Sequence, residues 1–179
     1  MKKLVLTFGL ISGAIMAVLM LANVGFIDRI GFENGTIVGY TSIVLSFLMV
    51  FFGIRSYREN FGGGYISFGR AFSVGILIAL IASVVYVVTW EFEYRNLFYD
   101  FPEKYTAYVI ETARAAGASA EEVARQSLEL NSMWELYRSN IFVRAAFTFL
   151  EPFPVGLLIA LISAAVLRKR PKHEPARAQ

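Results

Sequence analysis

No cysteine occurs anywhere in the chain, which excludes disulfides, thiolate metal sites and a cysteine nucleophile. Histidine is almost as scarce. His173 is the single example and lies in a polar C-terminal stretch, so serine, histidine and acid cannot converge for nucleophilic catalysis, and no metal-ligand spacing is recognisable. Charge is sparse as well. Charged residues make up 17% of the 179 residues and hydrophobic residues 56%, against roughly 25% and 45–50% in soluble domains. The formal net charge of +3 is too small to argue for nucleic acid.

What is abundant is uninterrupted apolar sequence. A helix needs about 20 mainly apolar residues to cross hydrocarbon roughly 30 Å thick. Four segments meet that demand: 4–27, 37–54, 71–90 and 141–167. The first three carry no charge, and the last carries Arg144 and Glu151. Lys2 and Lys3 precede the first run as they would in a signal peptide. The run exceeds an h-region of about 7–15 residues and lacks a clean small-x-small cleavage site, so it is expected to be a retained anchor.

Basic residues near the span ends set orientation. Lys2, Lys3, Arg55, Arg58, Arg70 and the cluster from Arg168 to Lys172 fall on one side, whereas the other side receives Arg29 and the acid-rich segment 91–140. Both termini are therefore expected in the cytoplasm, with 91–140 extracytoplasmic and 171–179 a disordered cytoplasmic tail.

"RENFGGGYISFGRAF", residues 58–72, looks at first like a phosphate-binding loop. A Walker loop needs Lys after its glycines and a strand before them, and neither is present. Gly62, Gly63 and Gly64 read instead as a sharp turn between the second and third spans, where positive φ is permitted. Arg55, Arg58 and Arg70 then become candidate contacts for anionic lipid headgroups.

Lipid is as apolar as leucine, so close backbone approach through small residues has to hold spans together. Gly9, Gly13 and Ala17 repeat at fours in the first span, as do Gly75, Ala79 and Ser83 in the third and Gly156, Ala160 and Ala164 in the fourth; Gly39, Ser46 and Gly53 repeat at sevens in the second. These stripes predict a compact bundle, or in part a homo-oligomer contact.

After the third span, "WEFEYRNLFYDF" supplies Trp90, Phe92, Tyr94, Phe98, Tyr99 and Phe101, an aromatic belt suited to a headgroup interface. Pro102 can open a helix that Gly117 ends. Ser119 and Glu122 make a capping-box pattern for a second helix, with Val123, Leu130, Trp134 and Tyr137 on one face. The pair would cover the mouth of the bundle or act as a lid.

Glu151 and Arg144 are the candidate functional polar residues, because ionisable groups inside a membrane are costly and rare. Seven residues apart, they are expected on nearly one helix face, and Pro152 and Pro154 must disturb the helix there. A carboxylate just before proline also fits a plain helix start. Tyr40, Thr41 and Tyr86 are possible hydrogen-bonding partners. Glu91 and Glu93 read as the boundary of the third span. No catalytic residues, cofactor or metal are indicated.

The segments "GGGYISFGRAF", "GASAEEV" and "PVGLLIALISAAVLRKR" together resemble the bacterial membrane proteins grouped as domain of unknown function 4199, over about residues 2 to 170. The resemblance implies a four-span membrane protein of similar length and brings no established activity or catalytic residues.

The sequence thus predicts an all-α integral membrane four-helix bundle in a bacterial inner membrane, with an extracytoplasmic helical hairpin between spans three and four. Its expected role is that of a non-enzymatic accessory or envelope component, acting through the lipid bilayer, a membrane-protein partner or a second copy. The alternative is a small transporter or channel with a polar path near Glu151 and Arg144.

Overall fold

The computed structural model describes residues 1–169; the predicted tail at 171–179 lies outside them. The described residues are helical throughout, with no strand beyond an isolated pairing of Ile66 with Lys169. Four helices are long and apolar enough to cross a membrane: Lys2–Ile27, Arg29–Phe61, Phe68–Asn96 and Ile141–Leu167. At about 1.5 Å per residue each exceeds the hydrocarbon thickness. The second and third outrun the apolar segments 37–54 and 71–90. Backbone hydrogen bonding does not stop where hydropathy does, so polar ends stay helical.

Side chains such as Leu10, Val18, Val88, Phe142 and Ile162 are exposed along these helices, an apolar surface that suits lipid and not water.

The first two spans join without a loop. The chain reverses at Gly31 (φ 77°, ψ 165°), a region only glycine enters freely. Asn23 Nδ2 donates to the Gly35 carbonyl across the turn at 3.0 Å. Further along, the second span is interrupted at Phe47 between Ser46 and Leu48. Val50 N–H bonds to Phe47 O, and the Ser46 carbonyl accepts from Ser12 Oγ of the first span at 2.8 Å. A carbonyl released from the helix ladder is thus satisfied by the neighbouring span.

The third span lies against each of the other three. Small residues mark the contacts. A Cβ on Gly13 would come within 2.6 Å of Val85, one on Gly53 within 2.4 Å of Ile78, and one on Gly156 within 2.7 Å of Phe47 and 2.9 Å of Ala79.

The third and fourth spans are connected by helices Phe101–Ala115 and Ala120–Ser139. Gly117 ends the first of these at φ 87°. Ser119 and Glu122 close a complete capping box on the second, satisfying backbone donors that would otherwise be orphaned. Arg138 pairs with Glu103 across the two helices.

The fourth span is not one continuous helix. Ile141–Phe149 and Pro152–Leu167 are separated at Leu150 and Glu151, because Pro152 brings no N–H to the ladder.

Candidate functional site

Where the connecting helices meet the spans, aromatic rings gather. Phe101 stands edge-on to Trp90 (centroids 5.2 Å apart) and to Trp134 (5.9 Å), and stacks on Tyr105 (5.7 Å). Phe32, next to the Gly31 turn, reaches Tyr105 at 5.9 Å. The segment read as a headgroup belt is in fact divided. Trp90, on the third span, and Phe98, just past its end at Asn96, turn inward, while Phe92 and Tyr99 remain exposed. Helical period separates Trp90 from Phe92, and the turn between Asn96 and Phe101 separates Phe98 from Tyr99.

These rings wall a cavity of about 310 Å³, within the usual range for small-molecule pockets. Asn23, Thr36 and Gly39 contribute from the first two spans, and Thr148 and Glu151 from the fourth. Trp90 Nε1 donates to Tyr137 Oη at 2.6 Å, and Trp134 Nε1 to Thr106 Oγ1 at 2.9 Å. Both indole N–H groups are thereby spent. Burial pushes the Tyr137 phenol up, against hydrogen bonds to Trp90 and Thr148 that pull it down. A wider, shallower cleft between the connecting helices holds Glu103 and Arg138, already paired with each other.

Glu151 sits in the break of the fourth span, exposed and on the cavity wall. Its side chain does not cap the following helix. It accepts instead from Tyr86 Oη of the third span at 2.9 Å. Of the other partners considered from sequence, Thr41 donates to its own helix at Ile37 O, and Tyr40 is exposed.

Arg144 is held elsewhere. Its Nε and Nη2 donate to the two carboxylate oxygens of Glu91 at 2.7 and 2.8 Å, and Nη1 donates to Tyr137 O at 2.9 Å. The guanidinium also lies 4.8 Å from the Tyr94 ring centroid and 5.7 Å from that of Tyr137. This forked pair with aromatic faces suits arginine and not lysine. No hydrogen bond or ion pair joins Arg144 to Glu151 among the described residues.

Glu91 was not legible as a partner of Arg144, because the pairing spans 53 positions. Glu93, two residues on, is fully buried, and neither carboxylate oxygen has a hydrogen-bond partner among the described residues. The same holds for Asn23 Oδ1 and Ser83 Oγ.

The three predicted headgroup arginines lie at the other end of the spans. Arg55 pairs with Glu59 at 3.0 Å. Arg58 divides between Glu59 and the Leu167 carbonyl, at 3.3 Å each, and so satisfies the open end of the last helix. Arg70 is exposed and, among the described residues, its side chain reaches only the Met1 sulfur, at 3.8 Å. Gly63 and Gly64 adopt positive φ, 57° and 84°, forming the turn. Among the described residues no three His, Cys, Asp or Glu side chains gather as a metal site.

A family model described as "Protein of unknown function (DUF4199)" matches residues 7–169. No curated protein and no solved structure matches the chain.

Proposed function

Because the chain belongs to the DUF4199 family, whose description carries no activity, function has to be argued from its own residues, and we propose that it is a non-enzymatic, multi-pass membrane protein that holds a small ligand in the cavity beneath its connecting helices. The supporting observation is that cavity, about 310 Å³ with an aromatic wall and one carboxylate, Glu151.

In this reading the four spans form a bundle in the inner membrane of a bacterium, with both termini cytoplasmic. Residues 91–140 form a helical hairpin on the far side and roof the cavity. The basic end, with Arg70 the least engaged of its three arginines, faces anionic lipid. The protein works through its ligand, the bilayer and a membrane partner or second copy, and not through nucleic acid.

The natural lack of cysteine makes the test direct. Single cysteines replace Ser119, Thr36 or Asn60, and intact cells receive a membrane-impermeant maleimide. Ser119→Cys and Thr36→Cys are expected to label, the second more slowly because Thr36 lines the cavity, and Asn60→Cys only after permeabilisation. Labelling of Asn60→Cys in intact cells would reverse the orientation. Failure of Thr36→Cys in permeabilised cells as well would mean that the cavity is closed to water.

A second reading, a small transporter, draws on Ser83, Tyr86 and Glu93, which follow one face of the third span with few partners. Against it, Gly75, Ala79, Gly156 and Ala160 close-pack beyond Ser83, which supports a blind pocket over a through-path. Proton or cation flux from reconstituted protein, abolished by Glu151→Gln, would reverse that preference.

A further inference from the structure

We infer that the cavity is built for an organic ammonium cation, a quaternary or alkylated amine with an apolar substituent. This deepens the ligand-cavity reading and rests on it.

The argument is one of charge and direction. Aromatic faces carry negative potential and attract a cation held within about 6 Å of the ring centroid. Trp90, Phe101, Tyr105 and Trp134 supply such faces around one volume. With both indole N–H groups already committed to Tyr137 and Thr106, the tryptophans offer π surface and no donor. Anionic or strongly accepting ligands therefore find little to bind.

Among the described residues lining the cavity, Glu151 is the only acid or base, tyrosine aside. Among the described residues Tyr86 is its one hydrogen-bond donor, and no cation pairs with it. Two cations lie against lining rings: Lys104, over Phe98 at 5.6 Å and paired with Asp100 at 3.1 Å, and Arg144, which covers Tyr137 at 5.7 Å. The Arg144 charge is matched by the bidentate contact with Glu91, which also bonds the exposed Arg95 at 2.5 Å. Asn23 adds a buried amide oxygen with no donor beside the same wall. The wall thus combines π faces, an unmatched carboxylate and an idle acceptor, which together are complementary to positive charge.

An ammonium group could arrive as a soluble amine or as a lipid headgroup, and one experiment separates these. The full chain in a neutral maltoside detergent is titrated calorimetrically with benzyltrimethylammonium and with neopentylbenzene, its neutral isostere. Saturable binding of the cation is expected, at least about tenfold tighter than the isostere. Glu151→Gln, which keeps a side chain able to accept from Tyr86, is expected to remove most of that difference. Gly39→Leu serves as a blocking variant. Gly39 lines the cavity, and a Cβ there meets only Asn23 Nδ2, at 3.7 Å, so the larger side chain fills the volume and should abolish binding of both probes.

Equal binding of the two probes, unchanged by Glu151→Gln but lost in Gly39→Leu, would overturn the ammonium assignment and leave the cavity reading standing. Binding of neither probe to the wild-type chain would overturn both. Repeating the cation titration in phosphatidylcholine and phosphatidylglycerol nanodiscs gives the source. Weaker binding in phosphatidylcholine assigns a lipid headgroup as the occupant, and equal binding assigns a soluble amine.

Discussion

Glu91 and Glu93 stand two positions apart on the third span, and their surroundings differ completely. Glu91 receives both arms of Arg144, whereas Glu93 is fully buried with no hydrogen-bond partner among the described residues. Removing one member of a fully buried ion pair strands the other at a cost of about 3–5 kcal/mol, and here, with Glu91 partly exposed, a smaller share of that is expected. Arg144→Gln is therefore expected to lower the thermal midpoint in detergent, and Glu91→Gln likewise. The double variant should be no worse than either single one, and additive losses would show that the pair is not coupled. Glu93→Gln should behave in the opposite way, with stability unchanged or raised, because a carboxylate without a partner contributes nothing to lose. A loss above about 1 kcal/mol, the usual worth of a hydrogen bond, would reveal a partner for Glu93. None of this was legible in sequence. Glu91 and Glu93 read alike as a span boundary, and only the fold distinguishes the residue that meets Arg144 from the one that does not.

At the scale of the element, the glycines of the first span divide in the same way. Gly13 touches the third span so closely that a Cβ would lie 2.6 Å from Val85, while nothing stands within 4 Å of a Cβ on Gly25. Gly13→Val is expected to destabilise by about 1–3 kcal/mol through overpacking, and Gly25→Ala to be neutral or mildly favourable. Equal effects in a thermal-shift assay would contradict the packing. The spacing of four in the sequence marks the stripe but not which glycine a partner covers.

The second connecting helix makes a pH prediction. The Ser119 backbone N–H and hydroxyl hold the Glu122 carboxyl below its ordinary value of 4.5. A carboxyl depressed in the folded state stabilises the cap above the unfolded value, and that contribution is lost as pH falls through the folded one. Amide exchange in the first turn of Ala120–Ser139 should accelerate, relative to the chemical rate, between about pH 5 and pH 3. Glu122→Ala should already be fast at neutral pH and show no further loss of protection. The capping box was legible because its partners lie three residues apart. The Ser12–Ser46 bond, across 34 positions, was not.

For the whole molecule, hydropathy alone located the four candidate spans, since a continuous apolar run needs no tertiary context. The Gly31 reversal, the Phe47 interruption and the cavity depend on which helix faces which, and a single chain's composition carries no such information. The aromatic segment shows the limit clearly: its residues share one composition, yet Trp90, Phe98 and Phe101 line a cavity, Tyr94 lies under Arg144, and Phe92 and Tyr99 stay exposed.

That arrangement has an optical consequence. The chain contains two tryptophans, Trp90 and Trp134, and both stand on the cavity wall. Excited at the red edge of tyrosine absorption, the protein's intrinsic emission therefore originates almost wholly from this one place. A shift in its colour or lifetime reports water entering or an occupant arriving there, without any label, and Trp90→Phe and Trp134→Phe divide the signal between the two sides of the wall.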